Sequence, residues 1–182
     1  MNVSPPINSA DLCIPCGLCC DGSLFERAAL RLQEETMART LGLLVLKPEK
    51  EKTFFSQPCP AFRDHKCSVH EQKPTVCKKF RCKLLVSYES SLTEKEAGLQ
   101  IIKRARAMQA ELLGLLPSPV AASLSLAEVK RQMRSLAQAG PQERRAHINF
   151  LLLAGKYEIF LRRYFLLQSR KEKTSQETPV MG

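Results

Sequence analysis

Apolar residues recur three or four apart through the second half of the chain, and that spacing predicts helices. Ala97, Ile101, Ala105, Met108, Leu112 and Leu116 form one such stripe, opened by Thr93 with Glu96 and closed by Pro117-Ser118-Pro119. Serine or threonine followed three residues later by glutamate is a capping box, in which each side chain satisfies a backbone N–H of the first turn. Ser125 with Glu128 repeats it ahead of Leu126, Val129, Met133, Leu136 and Ala137, up to Gly140-Pro141. A last helix is predicted over 142–169, with Ile148, Leu151, Leu152, Ile159, Phe160 and Phe165 as its apolar positions. Arg170 to Gly182 is polar and patternless, the composition of a disordered tail. No internal repeat is visible.

The first half is less regular. Pro5-Pro6 opposes a helix, so residues 1–12 read as an extended lead-in. Ser23 with Glu26 predicts a helix from Leu24, carried by Phe25, Ala28, Leu30, Leu32 and Met37, ending near Thr40-Leu41 with Gly42 just past it. Leu43 to Leu46 and Thr53 to Phe55 flank a charged turn and predict a small hairpin. Pro58 and Pro60 make a stiff loop around Cys59, a turn covers Asp64 to Glu71, and a helix is predicted from Thr75 through Val86. The expected fold is mainly α: N-terminal cysteine-rich metal-binding loops, with short helices and a small hairpin, packed on a C-terminal helical bundle. Region 1–92 would hold the cysteines, 93–169 the helices in one globular unit with it, and 170–182 the tail.

The candidate chemistry lies in the cysteines. Cys13, Cys16, Cys19 and Cys20 follow a Cys-x2-Cys-x2-Cys-Cys spacing; Cys59, Cys67, Cys77 and Cys82 come later, and none follows. Thiolates are soft anionic ligands suited to zinc, copper(I) and iron–sulfur clusters. Two-residue spacers let a tight turn aim successive sulfurs at one centre, and Gly17 can take a positive φ there. A disulfide framework is the competing reading, but it needs an oxidising compartment. Met1 to Asp11 has neither a basic nor an apolar signal region, so the expectation is a cytoplasmic protein with reduced thiols. Cys19 and Cys20, being adjacent, cannot point the same way, so at least one of them serves a second metal or stands behind the first. Cys77 and Cys82, five apart, would sit about 140° apart on a straight helix, which calls for a bend or for different metals. His65 and His70 lie inside the block, but with eight thiols at hand they read as solvated or supporting groups; His147 reads as packing or surface.

Charge changes the picture little. The formal charge is +10, of which residues 93–182 carry +7. Nucleic-acid binding would pair such charge with aromatic platforms, yet aromatics are 6% of the chain and tryptophan is absent. The basic pairs therefore read as solvated helix faces. Lys156, Glu158, Arg162 and Arg163 interrupt the most apolar stretch, which excludes a membrane span there.

The cysteine run, then Pro58-Cys59-Pro60-Ala61-Phe62, then Cys67-x-Val69-x-Glu71-x-x-Pro74-x-x-Cys77-x-x-Phe80-x-Cys82, resembles the YkgJ-type cysteine-cluster family over residues 11–86. The resemblance implies chelation of zinc or iron by all eight cysteines, and its relatives include flagellin lysine N-methylases. Where the family commonly reads Tyr-Glu-x-Arg-Pro, this chain has His70-Glu71-Gln72-Lys73-Pro74, and a lysine cannot reproduce arginine's planar fork.

No phosphate loop, Ser–His–Asp set or facing carboxylate pair appears, so the sequence does not decide whether the protein is an enzyme. Three readings stand. The first is a metal chelator holding an iron–sulfur cluster, of the 4Fe-4S type, with a redox, carrier or accessory role. Cys-x2-Cys-x2-Cys with a remote fourth ligand fits that cluster, and zinc ranks second. The others are a protein-modifying enzyme of the flagellin-methylase kind, with a protein substrate, and a structural-zinc module whose helices bind a protein partner.

Overall fold

The computed structural model describes residues 7–49, 52–64, 66–116 and 125–167. The expected lead-in prolines, the Pro117-Ser118-Pro119 stop and the tail from Arg170 lie outside them. Among the described residues there are eight α-helices and five short strands. The helices are α1 (Ala10–Cys16), α2 (Glu35–Thr40), α3 (Thr75–Lys79), α4 (Lys83–Glu89), α5 (Lys95–Gly114), α6 (Leu126–Gln138), α7 (Pro141–Ala146) and α8 (Ile148–Tyr164). Strands β1 (Arg27–Leu30), β2 (Val45–Glu49) and β3 (Lys52–Ser56) form one antiparallel sheet in the order β1-β3-β2. Strands β4 (Phe62–Arg63) and β5 (Lys66–Cys67) form a second, two-stranded ladder. The mainly helical fold with a small hairpin is as the sequence predicts.

Several local expectations are corrected. Residues 10–12 are not extended: α1 begins at Ala10, where the Asn8 side chain accepts the Ala10 N–H at 2.9 Å. Its Pro15 lies inside the last turn, so the helix forgoes the backbone bond that an N–H there would make one turn back. The helix predicted from Leu24 does not form. Ser23 hydrogen-bonds Asp21 and Gln109 instead of capping, and Arg27–Leu30 becomes an edge strand with Ala28 opposite Phe55. Helix appears only later, as a 3-10 turn over Leu32–Glu34 followed by α2, and Gly42 closes it at φ 76° as expected. The hairpin is present, with Leu46 opposite Phe54.

The helix predicted from Thr75 through Val86 breaks at Phe80, whose ψ of 133° is extended. Glu34 starts its first piece from a distance, accepting the Thr75 N–H at 2.8 Å and the Thr75 hydroxyl at 2.6 Å. Cys82 starts the second piece, its Sγ accepting the Leu85 N–H at 3.4 Å. Ser125 caps α6 as predicted, at 3.0 Å from the Glu128 N–H. Thr93 does not cap α5, because its hydroxyl pairs with Ser87 at 2.7 Å. The last predicted helix is two, α7 and α8, meeting at His147. Ile148 and Ile159, expected inside, are 48% and 69% exposed; Phe150, Ala154, Tyr157 and Leu161 face inward instead.

Two apolar cores result. The larger joins Leu12, Leu18 and Leu24 from around the first cysteine block to Leu84, Ile102, Leu112, Val129, Phe150 and Leu161 of the helices. The smaller lies under the sheet, where Leu30, Ala38, Leu43, Phe55 and Ala61 pack with Cys59 and Cys77 at its edge. Helices α1 and α5 touch at Gly98, where a Cβ would meet the Leu12 side chain at 2.7 Å. Asp11 ties the same junction, accepting the Tyr88 hydroxyl at 3.0 Å and pairing with Lys95 at 3.2 Å. Because that contact is already close, Gly98→Val should destabilise the protein by about 1–3 kcal/mol through overpacking. Chemical denaturation will measure it, and an unchanged midpoint would mean that α1 does not pack there.

Candidate metal centre

The cysteines reach the site on different elements. Cys13 and Cys16 ride on α1, which ends at Gly17 with φ 61°. That conformation costs an L side chain about 1–2 kcal/mol. Space forbids one as well, since a Cβ on Gly17 would lie 2.2 Å from the tip of the Phe62 ring. The turn then folds back through Cys20 and Asp21, whose N–H groups both donate to the Gly17 carbonyl, at 2.8 and 2.9 Å. Cys59 joins the two blocks directly: its N–H donates to the Cys20 carbonyl at 2.8 Å. Cys67 ends β5, Cys77 lies on α3 and Cys82 at the start of α4.

All eight cysteines are free thiols, and all eight border one cavity of about 290 Å³. Phe25, Phe55, Phe62, Phe80 and Phe165 share its wall, with Phe25 edge-on to Phe80 at 5.1 Å. Cys13 is exposed, and the other seven are half-buried because they face the cavity. Among the described residues no three Cys, His, Asp or Glu side chains stand close enough to hold a metal ion without moving. His65 lies outside the described residues. His70 borders the cavity and is held by Lys73, with Nζ 3.0 Å from Nε2. The two positions that depart from the family pattern are thus bonded to each other.

Packing sorts the thiols. Cys16, Cys19 and Cys82 lie against the larger core, and Cys13 shares α1 with Cys16. Cys59 and Cys77 lie against the smaller core, Cys20 is bonded to Cys59 through its carbonyl, and Cys67 pairs with Phe62 in the ladder that follows Cys59. Two neighbourhoods emerge: Cys13, Cys16, Cys19 and Cys82 in one, Cys20, Cys59, Cys67 and Cys77 in the other. They adjoin at Cys13, which also acts on Cys20 and Cys77, and at the peptide link from Cys19 to Cys20. Each takes one member from the sequence block that supplies the rest of the other. The break at Phe80 makes this division possible by turning Cys82 away from Cys77.

Burial pushes the thiols of Cys16, Cys19, Cys20, Cys59, Cys77 and Cys82 up, because an apolar wall disfavours the thiolate. Cys16 and Cys77 rise to about 12, and Cys19 and Cys20 are raised as well. Arg106 opposes the rise at Cys16, and Lys73 opposes it at Cys77. Sequence reasoning missed Arg106, Gln109 and Asp21. Only their placement marks them, because Arg106 lies on a helix face that reads as solvated.

The family model described as "Putative zinc- or iron-chelating domain", CxxCxxCC, matches residues 12–103. That is half the chain, and the protein belongs to this family. No curated protein and no solved structure matches it.

Raised thiol values make a pH prediction for metal-free protein. A group whose folded value lies above its unfolded one stabilises the fold below the unfolded value and loses that contribution as pH rises. Metal-free protein should therefore weaken as pH climbs above the ordinary thiol range, about 8.5, toward 12. Denaturation midpoints from neutral to alkaline pH will check this, and a flat profile would mean that the thiols are solvated.

Proposed function

We propose that this protein is a metal chelator with two all-cysteine centres. Cys13, Cys16, Cys19 and Cys82 hold an iron–sulfur cluster of the 4Fe-4S type. Cys20, Cys59, Cys67 and Cys77 hold a second thiophilic centre. The observation that carries the reading is that eight free thiols border one apolar cavity, with Cys16, Cys19 and Cys82 packed against one core and Cys59 and Cys77 against the other. Four sulfurs complete either a tetrahedral zinc site or a cubane cluster, so each neighbourhood is sufficient by itself.

The donor set fits such a metal. Among the described residues the lining offers eight thiols and the His70 ring but no carboxylate to favour a hard cation, and it lies where aromatic side chains limit water. The spacing supports the assignment of the first centre. In two-cluster ferredoxins a Cys-x2-Cys-x2-Cys run sends its next cysteine, after a three-residue spacer, to the other cluster; here the next cysteine, Cys20, follows at once and is bonded through its carbonyl to Cys59 of the other set. When bound, a cluster supplies one-electron chemistry. The chain's own residues bind it, shield it with Phe62, Phe80 and Phe165, and deliver charge from Arg106 and Lys73. Reduced thiols suit the cytoplasm. Among the described residues no helix is long and apolar enough to cross a membrane.

Anaerobic purification followed by iron, sulfide and zinc analysis tests this reading with two variants. Wild type should carry iron with acid-labile sulfide. Cys82→Ser should lose the cluster and keep the second centre; Cys59→Ser should do the reverse. Zinc alone in wild type would reassign the first centre. Loss of all metal from both variants alike would mean one shared centre.

A further inference from the structure

Two residues of α5 that lie beyond the family match, Arg106 and Gln109, grip the loop carrying the first cysteine block. The Arg106 guanidinium donates through Nη2 to the Cys16 carbonyl, and through Nη1 to Asp21 Oδ2 and to Gln109 Oε1. Gln109 Nε2 donates to Ser23 Oγ at 2.7 Å, and that hydroxyl donates to Asp21 Oδ1 at 2.5 Å. The Ser23 N–H also donates to Asp21 Oδ1, at 2.8 Å. Asp21, Ser23 and Gln109 are buried, so this network is shielded from water. Gly17 makes it reachable, since a Cβ there would lie 2.7 Å from Arg106 Nη2. The clamp thus closes on both ends of a six-residue turn, Cys16 to Asp21, whose interior contains Cys19 and Cys20.

Charge gives the clamp a second role. Four thiolates around a cubane cluster or a single divalent ion leave negative charge uncompensated, which is expensive in an apolar wall. Asp21 takes part of the arginine's charge, but the guanidinium still sits on the Cys16 carbonyl, inside the turn that carries the ligands. Its Nε–H is buried with no acceptor among the described residues, a cost that a nearby anion would relieve.

We propose that Arg106 is the positioning residue of the Cys13, Cys16, Cys19 and Cys82 centre. Its planar fork fixes the turn that divides Cys19 from Cys20, and its charge offsets that of the bound thiolates. The proposal rests on the reading that these thiols hold metal, and it places control of the centre in the helical half. Arginine suits the role because it stays charged and its rigid fork can bridge a carbonyl and a carboxylate together.

The test compares affinity for zinc added to metal-free protein, by competition with a chromogenic chelator, with melting temperature in R106Q, R106K, the core variant V129A and the exposed control R104Q. Removing an outer partner of a metal ligand typically costs 10–100-fold in affinity, and R106Q should lose that much. R106K keeps the charge but not the fork and should fall between R106Q and wild type. V129A loosens the buried core of α6 without touching the clamp; it should melt earlier yet bind zinc as wild type does, and R104Q should change neither. Affinity that falls in step with melting temperature in both R106Q and V129A would reduce Arg106 to a structural residue and overturn the proposal. Should R106Q fail to fold, R106K against V129A decides: weaker binding in R106K supports the proposal and equal binding overturns it. Metal-binding wild type with an indifferent R106Q overturns the proposal alone. Wild type that retains no metal overturns the chelation reading and the proposal with it.

Discussion

Thiols buried in an apolar wall resist ionisation, and thiolates are what bind metal. The arrangement around the cavity is governed by that opposition. Seven of the eight cysteines are at least half-buried, and phenylalanines crowd the space between them. Without a counter-charge such groups stay protonated and behave as small apolar side chains. A bound cation reverses the balance, and the protein places Arg106 beside one neighbourhood and Lys73 beside the other. Soft metals that displace thiol protons gain from this arrangement, whereas among the described residues no carboxylate lines the cavity to favour a hard cation.

The fold is organised to bring distant thiols to this place. The first block is anchored in the larger core by Leu12 and Leu18, and so belongs structurally to the helices. Cys59 and Cys77 sit at the edge of the smaller core under the sheet. The junction between the two cores is therefore where the cysteines meet. The Cys59 N–H to Cys20 carbonyl bond is a stitch across it, while the Glu34 cap on Thr75 ties α3 to the smaller core. Cys82 returns to the helical side because the chain turns at Phe80, and α4 then continues to α8, where the Lys83 N–H meets the Phe165 carbonyl at 3.2 Å.

Much of this was legible in the sequence. The thiol set, the Ser125 cap, Gly42 and the hairpin each depend on local chemistry that the residues themselves display. The failures share a cause, tertiary partners overriding local pattern. Leu24, Phe25, Ala28 and Leu32 suit a helix, yet pairing with β3 offers Arg27–Leu30 a ladder, and Ser23 is drawn off by Gln109. In α8 apolar residues occur on nearly every side, so spacing alone could not choose Phe150 and Tyr157 over Ile148 and Ile159 for the interior. The division of the cysteines was half visible. Adjacent Cys19 and Cys20 required that they diverge, but their partners depend on a turn at Phe80 that no breaker residue announces.

Anomalous diffraction from crystals of anaerobically prepared, metal-loaded protein tests the central claim most directly. Two anomalous centres are expected, one ligated by Cys13, Cys16, Cys19 and Cys82, the other by Cys20, Cys59, Cys67 and Cys77. A single centre, or one ligated by Cys19 and Cys20 together, would contradict the account.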